Sequence, residues 1–371
     1  MAWKRSAAEA VTCAAGWVVS PRRRPANPPE SIFVLRNNDL GDLLVVTPLF
    51  DALRRRFPSA RIVAGVGAWN VATLEGNPHV SEVMAVSAPW FNRVTGAQGP
   101  RAAIRYLSRS SEVRQLRARR FDVGIDVLGS VWGSWLLLRA GVPLRLGVKG
   151  YAGGHTAVQR FVRYNPDEHV GRSALRFAEL LGAVDLPDAR PQLFLSPAEM
   201  DEAERLWREA DPERLARRIV IAPGGGHPGR AWPLDHFVDL TRRLIGPAAR
   251  PLVIGGDDDV ESGQRIAAAG ARDMTGQLTL RQSFAAIACA DIVFCNSSVA
   301  MHAAAAAGVP AVVLLGPEYG SARAHANQWG HGDLSLILGR DIDRNEIYAP
   351  GDALHAALAR YPSALSPGDS R

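Results

Sequence analysis

From Ser31 onward, apolar residues gather into short solid blocks separated by longer stretches where they recur at helical spacing. Ile32 to Leu35, Arg61 to Val66 and Phe121 to Leu128 read as strands, with a further apolar segment at Val83 to Val86. Between them the spacing predicts a helix from Asp42 to Phe57 interrupted at Pro48. An Arg-rich helix around Ala102 to Arg119 and a helix from Val131 to Ala140 follow. Such repeated alternation of strand and helix predicts an α/β fold, a parallel sheet with helices on both faces.

The alternation breaks near Gly182 to Pro197, where Asp185-Leu186-Pro187-Asp188 and Pro191 interrupt it before a charged helix from Glu199 to Glu209. A second series opens with Ile219 to Ala222 and continues through Leu252-Val253-Ile254. It ends in a clear βαβ unit between Asp291 and Pro317. There Ile292 to Phe294 form a strand, Asn296-Ser297-Ser298 a polar cluster of helix-capping type, and Met301-His302 with five alanines a small-faced helix. Gly308 and Pro310 stop that helix, and Ala311 to Leu315 supply the next strand. A helix starting at the carboxyl end of a parallel strand presents free N–H groups suited to phosphate, although an ordinary capped helix gives the same pattern.

A chain of 371 residues is too long for one ordinary core. The expected division is an extension over 1–30, a Rossmann-like domain over 31–184, a linker over 185–197 and a second domain over 198–371 ending in a C-terminal helix. Two doubly wound domains would place a cleft between the carboxyl edges of their sheets.

Composition narrows the partners. The net charge of +6 comes from 43 basic residues, of which only Lys4 and Lys149 are lysine, and it favours anionic ligands such as phosphates, nucleotides or a membrane surface. Aromatic residues are too scattered among the arginines for base stacking, so nucleic acid is not expected. Cys13, Cys289 and Cys295 have no metal-ligand spacing and make a poor disulfide set, which points to a reducing cytoplasm. Near the N-terminus, Lys4-Arg5, the apolar Ala7 to Val19 and Arg22-Arg23-Arg24 form a segment too short to span a bilayer. It reads either as a helix lying on a membrane with its basic cluster toward anionic lipid, or as a frayed extension.

Three turns follow strands where open sheets bind ligands. The first, Arg36 to Asp42, brings Gly41 and the Asp42 carboxylate to a helix start, where Asp42 is either a base or simply an N-cap. The second, Pro223 to Arg230, has the consecutive glycines Gly224 and Gly225 for close backbone approach, and Arg230 as a fork of donors for phosphate. It lacks the Gly-Lys-Ser/Thr ending of an ATPase P-loop. The third, Gly255 to Glu261, carries acids able to accept hydrogen bonds from ribose hydroxyls, or merely a solvated acidic turn.

Together these pieces resemble the glycosyltransferase family that contains the ADP-heptose:lipopolysaccharide heptosyltransferases, glycosyltransferase family 9. The resemblance is carried by Ile32 to Arg36 with Leu40-Gly41-Asp42 and Thr47-Pro48-Leu49. It continues through Ala222-Pro223-Gly224, Arg230 to Leu234, Gly255-Gly256, Thr275-Gly276, Asn296 to His302, Gly308 and Gly316-Pro317. It implies two facing Rossmann-like domains of the GT-B kind, the acceptor held mainly by the first and the nucleotide sugar by the second. By position, Asp42 is similar to the family's catalytic base and Arg230 to its basic residue at the diphosphate. Ser297, Ser298 and His302 resemble its phosphate-binding turn, and Glu261 its ribose-binding acid. The chain departs from the family at Ser297-Ser298-Val299, where Asp-Thr/Ser-Gly is usual.

The implied activity is inverting transfer of a heptose or related sugar from a nucleoside-diphosphate sugar, ADP-heptose-like, to a lipopolysaccharide-type or other cell-surface glycan acceptor. It needs no cofactor and no metal. The expected location is the cytoplasm, peripheral on the inner face of the membrane. Two other readings compete. One is a non-catalytic nucleotide- or glycan-binding homologue, suggested by Ser297 and Val299. The other is a nicotinamide-dependent oxidoreductase, disfavoured because the first strand leads into Leu40-Gly41-Asp42 rather than a Gly-x-Gly-x-x-Gly turn.

Overall fold

The computed structural model describes residues 23–96, 98–211, 217–225, 227–246 and 249–365, and the chain divides between Ala189 and Arg190 into two compact units. The expected amphipathic segment, with Arg22 and Cys13, lies outside the described residues, as does Gly226.

In the first unit the strands are β1 (Ser31–Arg36), β2 (Arg61–Val66), β3 (Glu82–Ala85), β4 (Val123–Asp126), β5 (Leu144–Lys149) and β6 (Arg160–Arg163). All run parallel, in the order β3-β2-β1-β4-β5-β6. Leu35 stands between Gly65 of β2 and Asp126 of β4. The helices are α1 (Leu40–Leu44), α2 (Pro48–Arg56), α3 (Pro100–Arg109), α4 (Ser111–Ala118), α5 (Val131–Arg139) and α6 (Val170–Leu180). Ile32, Phe33, Val34 and Leu35 are all 0% exposed, as a central strand covered on both faces requires.

One helix breaks where the sequence led us to expect it, and a second breaks where it did not. The segment from 42 to 57 is two helices, because Pro48 cannot continue a preceding turn and instead opens α2. The Arg-rich helix is likewise two, broken at Ser110, whose backbone is extended (φ −61°, ψ 139°) and whose Oγ accepts from Glu112 N–H to cap α4.

Arg23, one of the three arginines of the expected basic cluster, is engaged within the first unit. Its guanidinium donates to the carbonyls of Arg120 and Phe121 and pairs with Asp122 at 3.2 Å. The buried Asp122 carboxylate also accepts from Glu30 N–H, Ser31 N–H and Ser31 Oγ, so it fastens the incoming chain to the start of β1.

The second unit repeats the plan. It contains α7 (Pro197–Ala210), β7 (Arg217–Ala222), α8 (Leu234–Leu244), β8 (Ala249–Val253), α9 (Val260–Ala267), β9 (Arg272–Asp273) and α10 (Leu280–Ala288). After these come β10 (Ile292–Cys295), α11 (Val299–Ala307), β11 (Ala311–Leu314), α12 (Ala322–Trp329), β12 (Ser335–Leu338), α13 (Pro350–Arg360) and the short α14 (Pro362–Leu365). The parallel sheet runs β12-β11-β10-β7-β8-β9, which is the order of the first unit read from its other edge. α11 buries Ala300 and Ala303 to Ala305, small enough to lie close on the sheet, and stops at Gly308 in the left-handed region (φ 77°). In each sheet the chain reverses direction of growth between its first and fourth strands, the switch point where open sheets hold ligands.

Candidate active site

At the first unit's switch point, β1 delivers Arg36 and the following turn delivers Asp42. Arg36 is only 5% exposed. Its Nε donates to the Asp42 carbonyl at 3.0 Å and its Nη2 to Asp42 Oδ1 at 3.2 Å. Among the described residues no donor is bonded to Asp42 Oδ2. Asp42 is not the N-cap: that position belongs to Asp39, which makes no cap hydrogen bond and pairs with Arg93 at 3.2 Å. Asp42 lies in the first turn of α1. One oxygen is therefore held by a buried cation, and the carboxylate as a whole is 28% exposed.

Asp126, at the end of β4, is 1% exposed and accepts from Ser130 N–H at 2.8 Å. Burial pushes its carboxyl up to about 7, against the backbone donors of Ser130 and Gly129 and the charge of Arg36. α5 crosses directly above it at Gly133, where a Cβ would sit 2.1 Å from Oδ2. Beyond β5, Tyr151 and Tyr164 hold their rings 4.9 Å apart, 44% and 40% exposed. Burial raises the Tyr151 hydroxyl, while the charge of Arg36 lowers it.

At the second unit's switch point, Asn296 joins the turns after β7 and β10. It accepts from Trp232 N–H at 2.8 Å and donates to the Pro223 carbonyl. Its burial at 2% exposure makes both bonds structural necessities. Gly224 and Gly255 close the turns after β7 and β8 against Asp259: a Cβ at either would lie 2.6 Å from an Asp259 side-chain atom. Asp259 Oδ2 accepts from Gly256 N–H at 2.9 Å, and burial raises its carboxyl. Glu261, one step further into α9, is exposed. Gly225 packs beside Asn296.

Arg230 ends a short 3₁₀ turn, exposed, its guanidinium 5.6 Å from the Tyr319 ring centroid. No carboxylate among the described residues pairs with it. Tyr319 in turn contacts His325 edge-on at 4.8 Å, and His325 Nε2 is 2.8 Å from Ser297 Oγ. Burial, and then the charge of Arg230, push the His325 imidazole down to about 4, so it is neutral in the physiological range. Ser298 is the N-cap of α11, its Oγ accepting from Ala300 N–H. His302 lies one turn inside that helix, 4% exposed, with Nδ1 2.8 Å from His331 Nε2. The structure thus brings Gly224, Gly225, Arg230, Ser297 and Ser298 to one sheet edge, adds Asp259 and His325, and places Glu261 and His302 further back.

In sequence and fold the chain is similar to known proteins. Residues 109–324 fit the model of glycosyltransferase family 9 (heptosyltransferase), a span reaching from α3 to α12. The chain belongs to that family. It is 27% identical to lipopolysaccharide heptosyltransferase 2 of Salmonella typhimurium over 312 residues, 77% of this chain and 82% of that one. It is 25% identical to lipooligosaccharide heptosyltransferase 2 of Haemophilus influenzae over 303 residues, 77% and 83% of the two chains. In fold it is similar to a family 9 glycosyltransferase from Veillonella parvula, with a TM-score of 0.72 at 18% identity, covering 90% of this chain and 97% of that one. The ADP-heptose lps heptosyltransferase II of E. coli gives 0.69 at 22% identity over 91% and 100%. The protein is a glycosyltransferase of the GT-B class, and the oxidoreductase reading is set aside. Among the described residues no helix is long and apolar enough to cross a membrane, and no three His, Cys, Asp or Glu cluster as metal ligands.

Proposed function

We propose that the protein transfers a heptose, with inversion at the anomeric carbon, from an ADP-heptose-like donor to a lipopolysaccharide-type acceptor on the inner face of the cytoplasmic membrane. The observation that carries this reading is the Asp42 carboxylate, gripped by buried Arg36 through Oδ1 and partly exposed to solvent. Asp42 Oδ2 takes the proton of an acceptor hydroxyl as that oxygen bonds to the anomeric carbon. The bond from that carbon to the diphosphate breaks on the opposite face, so one displacement inverts the centre. Arg230, the Gly224-Gly225 turn and the α11 tip at Ser298 receive the charge that develops on the diphosphate. Asp259, rather than Glu261, supplies the acid toward the ribose hydroxyls, because its carboxylate lies between the ends of β7 and β8. The donor's identity is supported by the ADP-heptose in the name of the E. coli relative.

The test is ADP release from ADP-heptose by purified protein with and without a lipopolysaccharide core acceptor. Acceptor-dependent release by the parent, lost in folded Asp42→Asn, supports the reading. Ser297 in place of an acid favours the alternative, a protein that binds without turnover. Donor binding with no ADP release on any core acceptor would establish that alternative.

A further inference from the structure

The first unit carries a basic and apolar face that the chemistry above does not use. From Gly99 through Arg120 the sequence has seven arginines and one acid, Glu112. That acid is turned inward, accepting from the Tyr106 hydroxyl and from Ser87 N–H. Arg101, Arg105 and Arg109 follow at four-residue spacing along the outer stripe of α3, all exposed, and no carboxylate among the described residues pairs with them. Ile104 lies within that stripe at 58% exposure, while Ala103 and Leu107 are buried on the inner side near Trp90. The preceding loop adds Val94 at 60% and Phe91 at 46%.

This arrangement costs stability. Arg101 stands in the first turn of a helix, where the dipole disfavours a cation, and the stripe repels itself. Phe91 has φ +54°, a conformation bulky residues rarely adopt. The loop is held by the turn that carries the base: Asn38 Nδ2 donates to the Phe91 carbonyl at 2.6 Å and Asn37 Nδ2 to the Ala88 carbonyl at 3.2 Å. The face therefore adjoins the sheet edge that bears Asp42.

We propose that this face docks the protein on an anionic lipid bilayer, with Phe91, Val94 and Ile104 entering the headgroup layer and Arg101, Arg105 and Arg109 pairing with lipid phosphates. Its use in presenting a lipid-anchored glycan to Asp42 rests on the function proposed above. The docking itself needs neither donor nor acceptor, so it stands or falls separately.

The experiment is co-sedimentation of the full chain with vesicles of phosphatidylcholine, alone or with roughly one third phosphatidylglycerol. The parent binds only the anionic vesicles. Each basic side chain near such a surface is worth about fivefold, so neutralising three in Arg101→Gln/Arg105→Gln/Arg109→Gln weakens binding about a hundredfold. Phe91→Ser/Ile104→Ser weakens the binding that survives high salt. Retained stabilisation by ADP reports that both variants are folded. Undiminished vesicle binding by the triple variant overturns the proposal. So does loss of all binding in Lys4→Gln/Arg5→Gln/Arg22→Gln, which would assign it to the N-terminal segment. Equal displacement of both parent and Phe91→Ser/Ile104→Ser by soluble polyphosphate at high salt would make the face a general polyanion site instead.

Discussion

Arg36 binds Asp42 at two points, Nε to the backbone carbonyl at 3.0 Å and Nη2 to Oδ1 at 3.2 Å, so one buried side chain sets both the backbone and the carboxylate of the candidate base. If Asp42 is the base, Arg36 is a positioning residue. Arg36→Met is expected to lower kcat about a hundredfold, the cost of misplacing a reacting group by about 1 Å, with donor KM nearly unchanged. Arg36→Lys, which keeps the charge but not the fork, recovers part of the loss. Equal kcat values for Arg36→Met and the parent would remove this role.

Arg230 makes no ion pair among the described residues and stands at the mouth of the second unit's switch point. Arg230→Ala is expected to weaken ADP binding by about 1.5–3 kcal/mol, the range for hydrogen bonds to charged groups. Because the side chain is exposed, thermal stability should change little. Isothermal calorimetry of ADP with the folded variant measures the first, and an unchanged affinity would place the diphosphate elsewhere.

Asp259 and Glu261 make opposite predictions for the nucleoside. Asp259→Asn should weaken ADP about tenfold or more and 2′,3′-dideoxy-ADP much less, since the lost bonds are to ribose hydroxyls. Glu261→Gln should leave both affinities within about twofold. The reverse ranking would restore Glu261 to the site.

Asp126 should shape the pH dependence of stability. Its folded carboxyl titrates near 7 against an ordinary value of 3.8, so the folded state binds this proton more tightly than the unfolded chain. That contribution is fully present below about 3.8 and is lost as pH rises through about 7. Asp126→Asn carries no such charge and can still accept from Ser130 N–H. Its melting temperature relative to the parent should therefore climb between pH 5 and pH 8, and parallel curves would show that Asp126 is ionised throughout.

Much of the fold was legible because its central strands are solid apolar runs. β1, β2, β7, β10 and β11 are covered on both faces, and nothing polar interrupts their blocks. β5 escaped notice because it contains Arg145, which is 1% exposed yet satisfies its guanidinium on the carbonyls of Ala157 and Val142. A buried cation bonded to backbone looks the same in sequence as a solvated one. β9 and β12 are short and only partly buried, which leaves no periodic signal.

The site divides in the same way. Asp42, Arg230 and Ser298 follow recognisable strands and could be singled out as candidates by position. Asp259, His325 and Asp126 take their meaning from partners across the sheet, such as Gly224, Ser297 and the crossing of α5 at Gly133. The acidic turn from Asp257 to Glu261 offered several candidate carboxylates, and only their direction separates them. One signal was available for Arg36: an arginine ending an otherwise wholly apolar strand needs an anionic partner close by.

The repeated strand order has a consequence for how the chain is made. In each unit the first strand to leave the ribosome is central, and its second neighbour arrives late. Ser31 meets Asp122 across a separation of 91 residues, and Arg218 meets Asp291 across 73. At roughly 5–20 residues per second, one edge of each nascent sheet stays open for about 4 to 18 seconds. During that interval Ile32 to Leu35, and later Ile219 to Ala222, are exposed hydrophobic edges of the kind that chaperones hold and that aggregate when they are not held.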